Sequence, residues 1–252
     1  VLPVLAVHQG QKADIYERVG QALQNSKKLI NTIVPDFARV KKPKNMNKIT
    51  AQKSYHDYVI KDGRFIGDFQ NMYRNCEDPW MQSKQPNKYA RYAGTQHIKN
   101  YNIKSVLECG CGLGYYSDWI FKETGIVPKG IDICEEAIAK AKQLFPHLDF
   151  SVSDVTKDLK MYNELECILL SEIIWYILPD LKLLFDIMKS SFKGKYLVVN
   201  QVFYKGTQRY GTEYFTSLSD FISYVPFKLL GSCEATLADD TTIESSTIFE
   251  IS

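Results

Sequence analysis

The chain is predicted to be α/β, with a mostly parallel sheet of seven strands, helices on both faces, an antiparallel last strand and a helical N-terminal cap. Three observations predict this. From residue 104 onward, short apolar runs alternate with stretches of helical periodicity, the pattern of a parallel sheet joined by crossover helices. Gly110, Gly112 and Gly114 stand at every second position where the first run passes into a helix. Two strand-like runs then end the chain with no helix between them, as an antiparallel pair would.

The elements follow in order. Residues 11–34 carry Ile15, Val19, Ala22, Leu23, Ile30 and Ile33 near helical spacing among polar residues, and Pro35 ends the stretch, which predicts an amphipathic helix. Residues 36–49 are polar and basic and read as a linker. Residues 50–103 are rich in Tyr, Phe and Trp and are broken by Gly63, Gly67, Pro79 and Pro86. They predict short helices and loops forming a cap or pocket wall, with half-buried structural aromatics as the other reading. The strands expected next are 105–109, 127–133, 148–152, 167–171, 195–203, 227–237 and 247–252. Helices are expected at 115–124, closed by Gly125, and at 135–144, 181–192 and 217–224. Three segments result, with an N-terminal helix and basic linker at 1–49, the aromatic cap at 50–103 and the ligand-binding domain at 104–252.

Bulk properties narrow the function. The 252 residues, 45% of them hydrophobic, suit one large domain with a small appendage. A net charge of +2 gives no general attraction to nucleic acid or to a membrane surface. Residues 1–60 do hold ten Lys and Arg against four Asp and Glu, with a run at Arg39, Lys41, Lys42, Lys44 and Lys48. That run reads either as a solvated linker or as a patch facing an anionic substrate or partner. The six cysteines form no CxxC pair and lie at no zinc spacing with His. They read as reduced residues of a cytoplasmic protein with no metal site. The opening Val-Leu-Pro-Val-Leu-Ala-Val run is too short to span a bilayer. The lack of an initiator Met is read as trimming or as a cut from a longer chain.

The chemistry is concentrated in Val106-Leu107-Glu108-Cys109-Gly110-Cys111-Gly112-Leu113-Gly114. Glycines at a strand-to-helix turn let the backbone fold sharply and let a ligand lie against the main chain. Asp132 ends the second strand, 18 residues past Gly114, where a carboxylate can take hydrogen bonds from ribose hydroxyls. Its alternative role is the N-cap of the following helix. A dinucleotide loop would need a third glycine at position 115, which is Tyr115. Its side chain leaves little room for a pyrophosphate.

The E-x-G-x-G-x-G run followed by an acid at the end of strand two resembles the class I S-adenosylmethionine-dependent methyltransferases, whose fold is Rossmann-like. Ser153-Asp154-Val155 after strand three and Ser171-Glu172 after strand four resemble further segments of that family. The resemblance covers residues 104–252. It implies that Glu108 orients the methionine end, that Gly110, Gly112 and Gly114 form the floor, and that Asp132 with Ile133 holds the ribose. It implies that Asp154 and Val155 meet the adenine and that Ser171 lies beside the methyl group. It also implies that the antiparallel last strand slots beside strand five. Gly63-Arg64-Phe65-Ile66-Gly67-Asp68-Phe69 with Trp80 and Lys88-Tyr89 resembles nodulation-type N-methyltransferases. By that likeness Tyr73, Trp80 and Lys88 line the methyl-donor end and Tyr89 the acceptor.

The expected reaction is methyl transfer to a small-molecule acceptor, an amine or a hydroxyl, releasing S-adenosylhomocysteine, and a homodimer is compatible with it. Glu172 and His97 are the candidate catalytic groups; the alternatives are an ordinary strand-end carboxylate and a structural histidine. Trp175 and Tyr176 are expected to shape the acceptor pocket. Ser171-Glu172-Ile173-Ile174 lacks the N/D-P-P-Y/F motif of enzymes that methylate nucleic-acid bases. One alternative is O-methylation of a phosphate, phosphoramidate or sugar in bacterial capsule biosynthesis, which a basic patch near the pocket mouth would favour. The others are an NAD(P)-dependent oxidoreductase and a non-catalytic protein of nucleotide-binding fold.

Overall fold

The computed structural model describes residues 55–61, 63–85, 88–206, 208–238 and 241–252. The helix expected at 11–34 and the basic linker at 36–49 lie outside the described residues. Glycine lets the chain reverse at Gly63, and a short antiparallel hairpin, β1 (Ile60–Lys61) and β2 (Arg64–Phe65), forms around it. Two helices follow, α1 (Phe69–Asn75), N-capped by Asp68, and α2 (Tyr89–Asn100). The alternating region then gives β3 (Val106–Cys109), α3 (Tyr115–Thr124), β4 (Lys129–Asp132), α4 (Glu135–Leu144), β5 (Asp149–Val152) and α5 (Val155–Asp158). It continues as β6 (Cys167–Ser171), α6 (Leu181–Ser191), β7 (Tyr196–Tyr204), α7 (Leu218–Tyr224), β8 (Lys228–Thr236) and β9 (Thr242–Glu250).

The large sheet has seven strands in the order β5-β4-β3-β6-β7-β9-β8. The pairs from β5 through β7 are parallel, and β9 runs antiparallel to both β7 and β8. As expected, the last strand lies beside the fifth of the alternating set. It begins at Thr242, earlier than the expected Thr247. Polar residues at the start of β9 hid its first half, and each finds a partner inside. Ser246 Oγ donates to Asn200 Oδ1 at 2.8 Å and Ser245 Oγ to the Gln201 carbonyl at 3.0 Å.

Strand alternation explains the core. Ile168 and Leu170 of β6 pack with Leu184, Phe185, Met188 and Phe221 on one face, while Cys167 and Leu169 pack with Ile98, Tyr116 and Ile120 on the other. Burial of each large apolar side chain contributes about 1.5–3 kcal/mol, so apolar packing supplies most of what holds the helices to both faces. No described helix is long and apolar enough to cross a membrane.

The order of strands places the site. From β3 the chain steps outward through β4 to β5, then returns to β6 on the other side of β3. Loops at the carboxyl ends of β3 and β6 diverge there and leave a crevice.

Candidate active site

A cavity of about 1110 Å³ opens at that crevice. Gly110 forms its floor in the left-handed region at φ +70°, where a Cβ would overlap Ile173 Cγ2. The turn is held by the N–H groups of Gly110 and Cys111, which both donate to the Ile131 carbonyl at 2.7 and 3.0 Å. Asp132, at the tip of β4, accepts from Gly112 N–H on one carboxylate oxygen and from Cys134 N–H on the other, both at 2.9 Å. Burial raises its carboxyl and these N–H groups oppose the rise. The carboxylate is fixed at the cavity wall with lone pairs left for a ligand.

Beyond Asp132 the wall is apolar, at Ile133 and Val155, and then polar again at Asp154. Asp154 caps α5 by accepting from Thr156 N–H at 3.0 Å and pairs with Lys157 at 2.7 Å. Burial pushes its carboxyl up, but Lys157 and Thr156 outweigh burial and hold it below the usual range.

Across the cavity, Glu172 follows β6 with φ +61°, a conformation unusual for a side chain with a Cβ. Its N–H donates to the Asn200 carbonyl at 2.8 Å. One carboxylate oxygen takes Lys88 Nζ at 3.0 Å and the other takes Arg91 Nη2 at 2.9 Å. Burial works to raise this carboxyl, yet the two cations hold it below the ordinary value. Arg91 is itself buried, donates to the Gln85 carbonyl at 3.2 Å, and sits 5.5 Å from the centre of the Tyr116 ring. Tyr116 donates its hydroxyl to the Arg91 carbonyl at 2.9 Å and accepts from Asn200, whose amide also donates to Ser171 Oγ. Ser171 and Glu172 are thereby tied to α2.

The rest of the wall is aromatic. Trp80 lies 4.9 Å from Tyr55 and 5.7 Å from Tyr176 between ring centres. Phe65 stacks at 6.1 Å on Tyr176 and 6.3 Å on Tyr210.

Of the residues singled out in the sequence, the cavity gathers Tyr73, Trp80, Lys88, Gly110, Asp132, Ile133, Asp154, Val155, Ser171, Glu172, Trp175 and Tyr176. Five lie outside its lining. Glu108 points from β3 beneath the loop, where Ser117 donates to it, and burial raises its carboxyl to about 7. Gly112 is covered by the Tyr73 hydroxyl and the Gln82 amide, and Gly114 packs on the Phe150 ring. His97 sits six residues past Arg91 on α2, about 9 Å along the axis, beside Gly231 and Ile248. Burial lowers its imidazole. It therefore belongs to the seam between α2 and the C-terminal strands, not to the reacting centre. Tyr89 faces outward and is 64% exposed, so it lines nothing.

Sequence reasoning missed Arg91 and Gln82. Arg91 lies three residues after Lys88, on the same helical face, a signal readable only once residues 89–100 are taken as a helix. Gln82 bridges to the glycine turn, accepting from Leu113 N–H at 2.8 Å, and carries no local signature.

Among solved structures, the chain resembles the N-methyltransferase NodS from Bradyrhizobium japonicum WM9 in complex with S-adenosyl-L-homocysteine. The TM-score is 0.55 at 16% identity, over 72% of this chain and 96% of that one. It resembles the methyltransferase domain of bacterial CtHen1-CN with a TM-score of 0.54 at 12% identity, over 66% of this chain and all of that one. It also resembles a TehB-like SAM-dependent methyltransferase from Corynebacterium glutamicum, with a TM-score of 0.51 at 17% identity over 72% and 99% of the two chains. No family model and no curated protein sequence matches the chain. At these identities the likeness establishes the fold, which is that of the class I methyltransferases.

Proposed function

We propose that this chain is an S-adenosylmethionine-dependent methyltransferase acting on a small-molecule acceptor. The observation that carries the reading is the fixed Asp132 carboxylate beside the Gly110 turn, at the point where the strand order of a methyltransferase sheet reverses. The residues fit the cofactor by their chemistry. Asp132 offers lone pairs to a ribose diol, Ile133 and Val155 offer an apolar slot for a flat base, and Asp154 offers an acceptor at its edge. Gly110 lines the cavity next to Asp132, where the methionine portion would lie. When bound, S-adenosylmethionine supplies an electrophilic methyl carbon and is released as the neutral thioether.

The chain's own residues have a limited task, which is to orient an acceptor lone pair and keep water away. The aromatic wall excludes water, and its ring faces suit a sulfonium. Glu172, held ionised by Lys88 and Arg91, positions groups and is a weak base. Such a site methylates an acceptor that already presents its lone pair.

The dinucleotide alternative meets a physical obstacle. A pyrophosphate draws on free N–H groups of the glycine turn as well as those of the helix that follows. Here Gly112 N–H is taken by Asp132, Leu113 N–H by Gln82 and Gly114 N–H by the Cys111 carbonyl.

Calorimetric titration of the protein and of Asp132→Ala with S-adenosylmethionine, and separately with NADH, tests the reading. Micromolar binding of the first ligand alone is expected, weakened by about tenfold or more in the variant. NADH binding, or no S-adenosylmethionine binding by protein freed of co-purified product, refutes it.

A further inference from the structure

The acceptor half of the cavity is rich in donors and cations. It contains Lys88, Arg91 and Arg209 against the two carboxylates of Glu172 and Glu244. Both carboxylates are engaged. Each Glu172 oxygen already takes a cation, and Glu244 accepts the Ala90 N–H at 3.0 Å. The cations are not used up in return. An ammonium has three N–H donors, and Lys88 gives one to Glu172. Arg209 is exposed, lines the cavity, and pairs with no carboxylate among the described residues.

Three tyrosines, Tyr55, Tyr176 and Tyr204, close the same half. Burial raises all three phenols, and the Glu172 charge adds to the rise at Tyr176 and Tyr204. They stay protonated and can donate or accept. Around Glu172, the fixed, one-directional groups that remain open are therefore cationic donors. A protonated amine would meet Lys88 at like charge and find its carboxylate partners already neutralised, which is unfavourable in a poorly solvated site.

Shape adds a second constraint. Trp80, Tyr176, Phe65 and Tyr210 form a continuous run of ring neighbours, with two of the contacts stacked at interplanar angles of 21° and 27°. Such a wall favours a flat body that can stack or lie along it.

Resting on the methyltransferase reading, we propose that the acceptor is a flat ring compound bearing an oxyanion, a carboxylate or a phosphate, that binds between Lys88 and Arg209 with its ring on the aromatic wall. The anion holds the acceptor, and the ring carries the atom to be methylated. An ionised or neutral nucleophile on that ring fits a site where the Glu172 carboxylate, paired with two cations, is a weak base.

The test uses full-length protein saturated with S-adenosylhomocysteine, with benzoate, phenyl phosphate and benzylamine as probes, followed by ligand-observed NMR titration. Both anions are expected to bind at least about tenfold more tightly than benzylamine, because charge-assisted hydrogen bonds are the strong ones. Arg209→Ala is expected to weaken the anions at least fivefold while leaving S-adenosylhomocysteine affinity unchanged, and Lys88→Met to weaken them similarly. A tighter phenyl phosphate than benzoate assigns the site to phosphates, and the reverse order assigns it to carboxylates. Benzylamine binding as well as or better than the anions, binding of neither anion, or anion binding indifferent to both substitutions overturns the proposal. If S-adenosylhomocysteine fails to bind while the anions bind and respond to Arg209→Ala, the oxyanion site stands and the methyltransferase reading falls.

Discussion

Glu108→Gln should make the protein more stable, and by an amount that depends on pH. Glu108 is 2% exposed, and its partner inside is Ser117, which donates to it from α3. Burial raises the carboxyl from 4.5 to about 7, against the pull of Ser117 and Arg91. Between those values the folded chain keeps a proton that the unfolded chain has released. Stability from this group is therefore complete below 4.5 and is lost as pH rises through 7. At 1.36 kcal/mol per pH unit, the shift to about 7 amounts to about 3 kcal/mol. Glutamine has nearly the same volume, can still accept from Ser117, and stays neutral throughout. Urea unfolding of both proteins, followed by circular dichroism from pH 4.5 to 8, isolates the effect because every other titrating group cancels in the difference. The variant's advantage should grow by about 3 kcal/mol across that range, or roughly 6–12 °C in melting temperature, with the same urea slope. A difference that changes by less than about 0.5 kcal/mol would mean that Arg91 or penetrating water stabilises the anion. The carboxyl would then titrate normally and the argument from burial would fail.

Two other substitutions examine neighbouring parts of the site. Gly110→Ala places a Cβ at φ +70° and onto Ile173, so it should destabilise by about 1–3 kcal/mol and abolish S-adenosylmethionine binding. Calorimetry of the double variant with Ile173→Ala should recover part of the stability, because the overlap is relieved and the backbone strain remains. His97→Leu removes an Nε2 that has no hydrogen-bond partner among the described residues, together with the ring's hydrogen bond to the Ser246 backbone, so the two effects offset and stability should change by less than about 1 kcal/mol. Affinity for S-adenosylmethionine should change less than twofold. A tenfold loss of affinity would return His97 to the site.

The parts of this fold that were legible in sequence are those specified by local signals. α3 and α4 occupy their expected residues, and Gly125 closes α3 at φ +76° with its N–H on the Phe121 carbonyl. Residues at the strand ends, such as Asp132, Asp154 and Glu172, could be placed because the strand order itself carries them to the crevice. α2 was not legible because it buries Ala90, Arg91, Gly94 and Thr95, with Ile98 as its one large apolar residue. It reaches the sheet through smallness: a Cβ on Gly94 would lie 2.5 Å from Asn200 Oδ1. A helix that packs by close backbone approach leaves no hydrophobic stripe to find, and Arg91 was overlooked with it.

Glu108 lies where strand alternation, read from the sequence, would have put it. The glycine motif directed attention to its carboxyl as a ligand for the methionine end. Side chains alternate across a strand with a period of two, and in β3 Leu107 and Cys109 belong to one face of the sheet while Val106 belongs to the other. Glu108 must then share the face of Val106, where α3 packs and where Ser117 is found. Two counts on one strand, one by motif and one by alternation, point in different directions, and the alternation reflects a steric constraint on the backbone that the motif cannot override. The pH dependence of Glu108→Gln therefore also tests which of the two should govern a carboxylate that precedes a glycine turn.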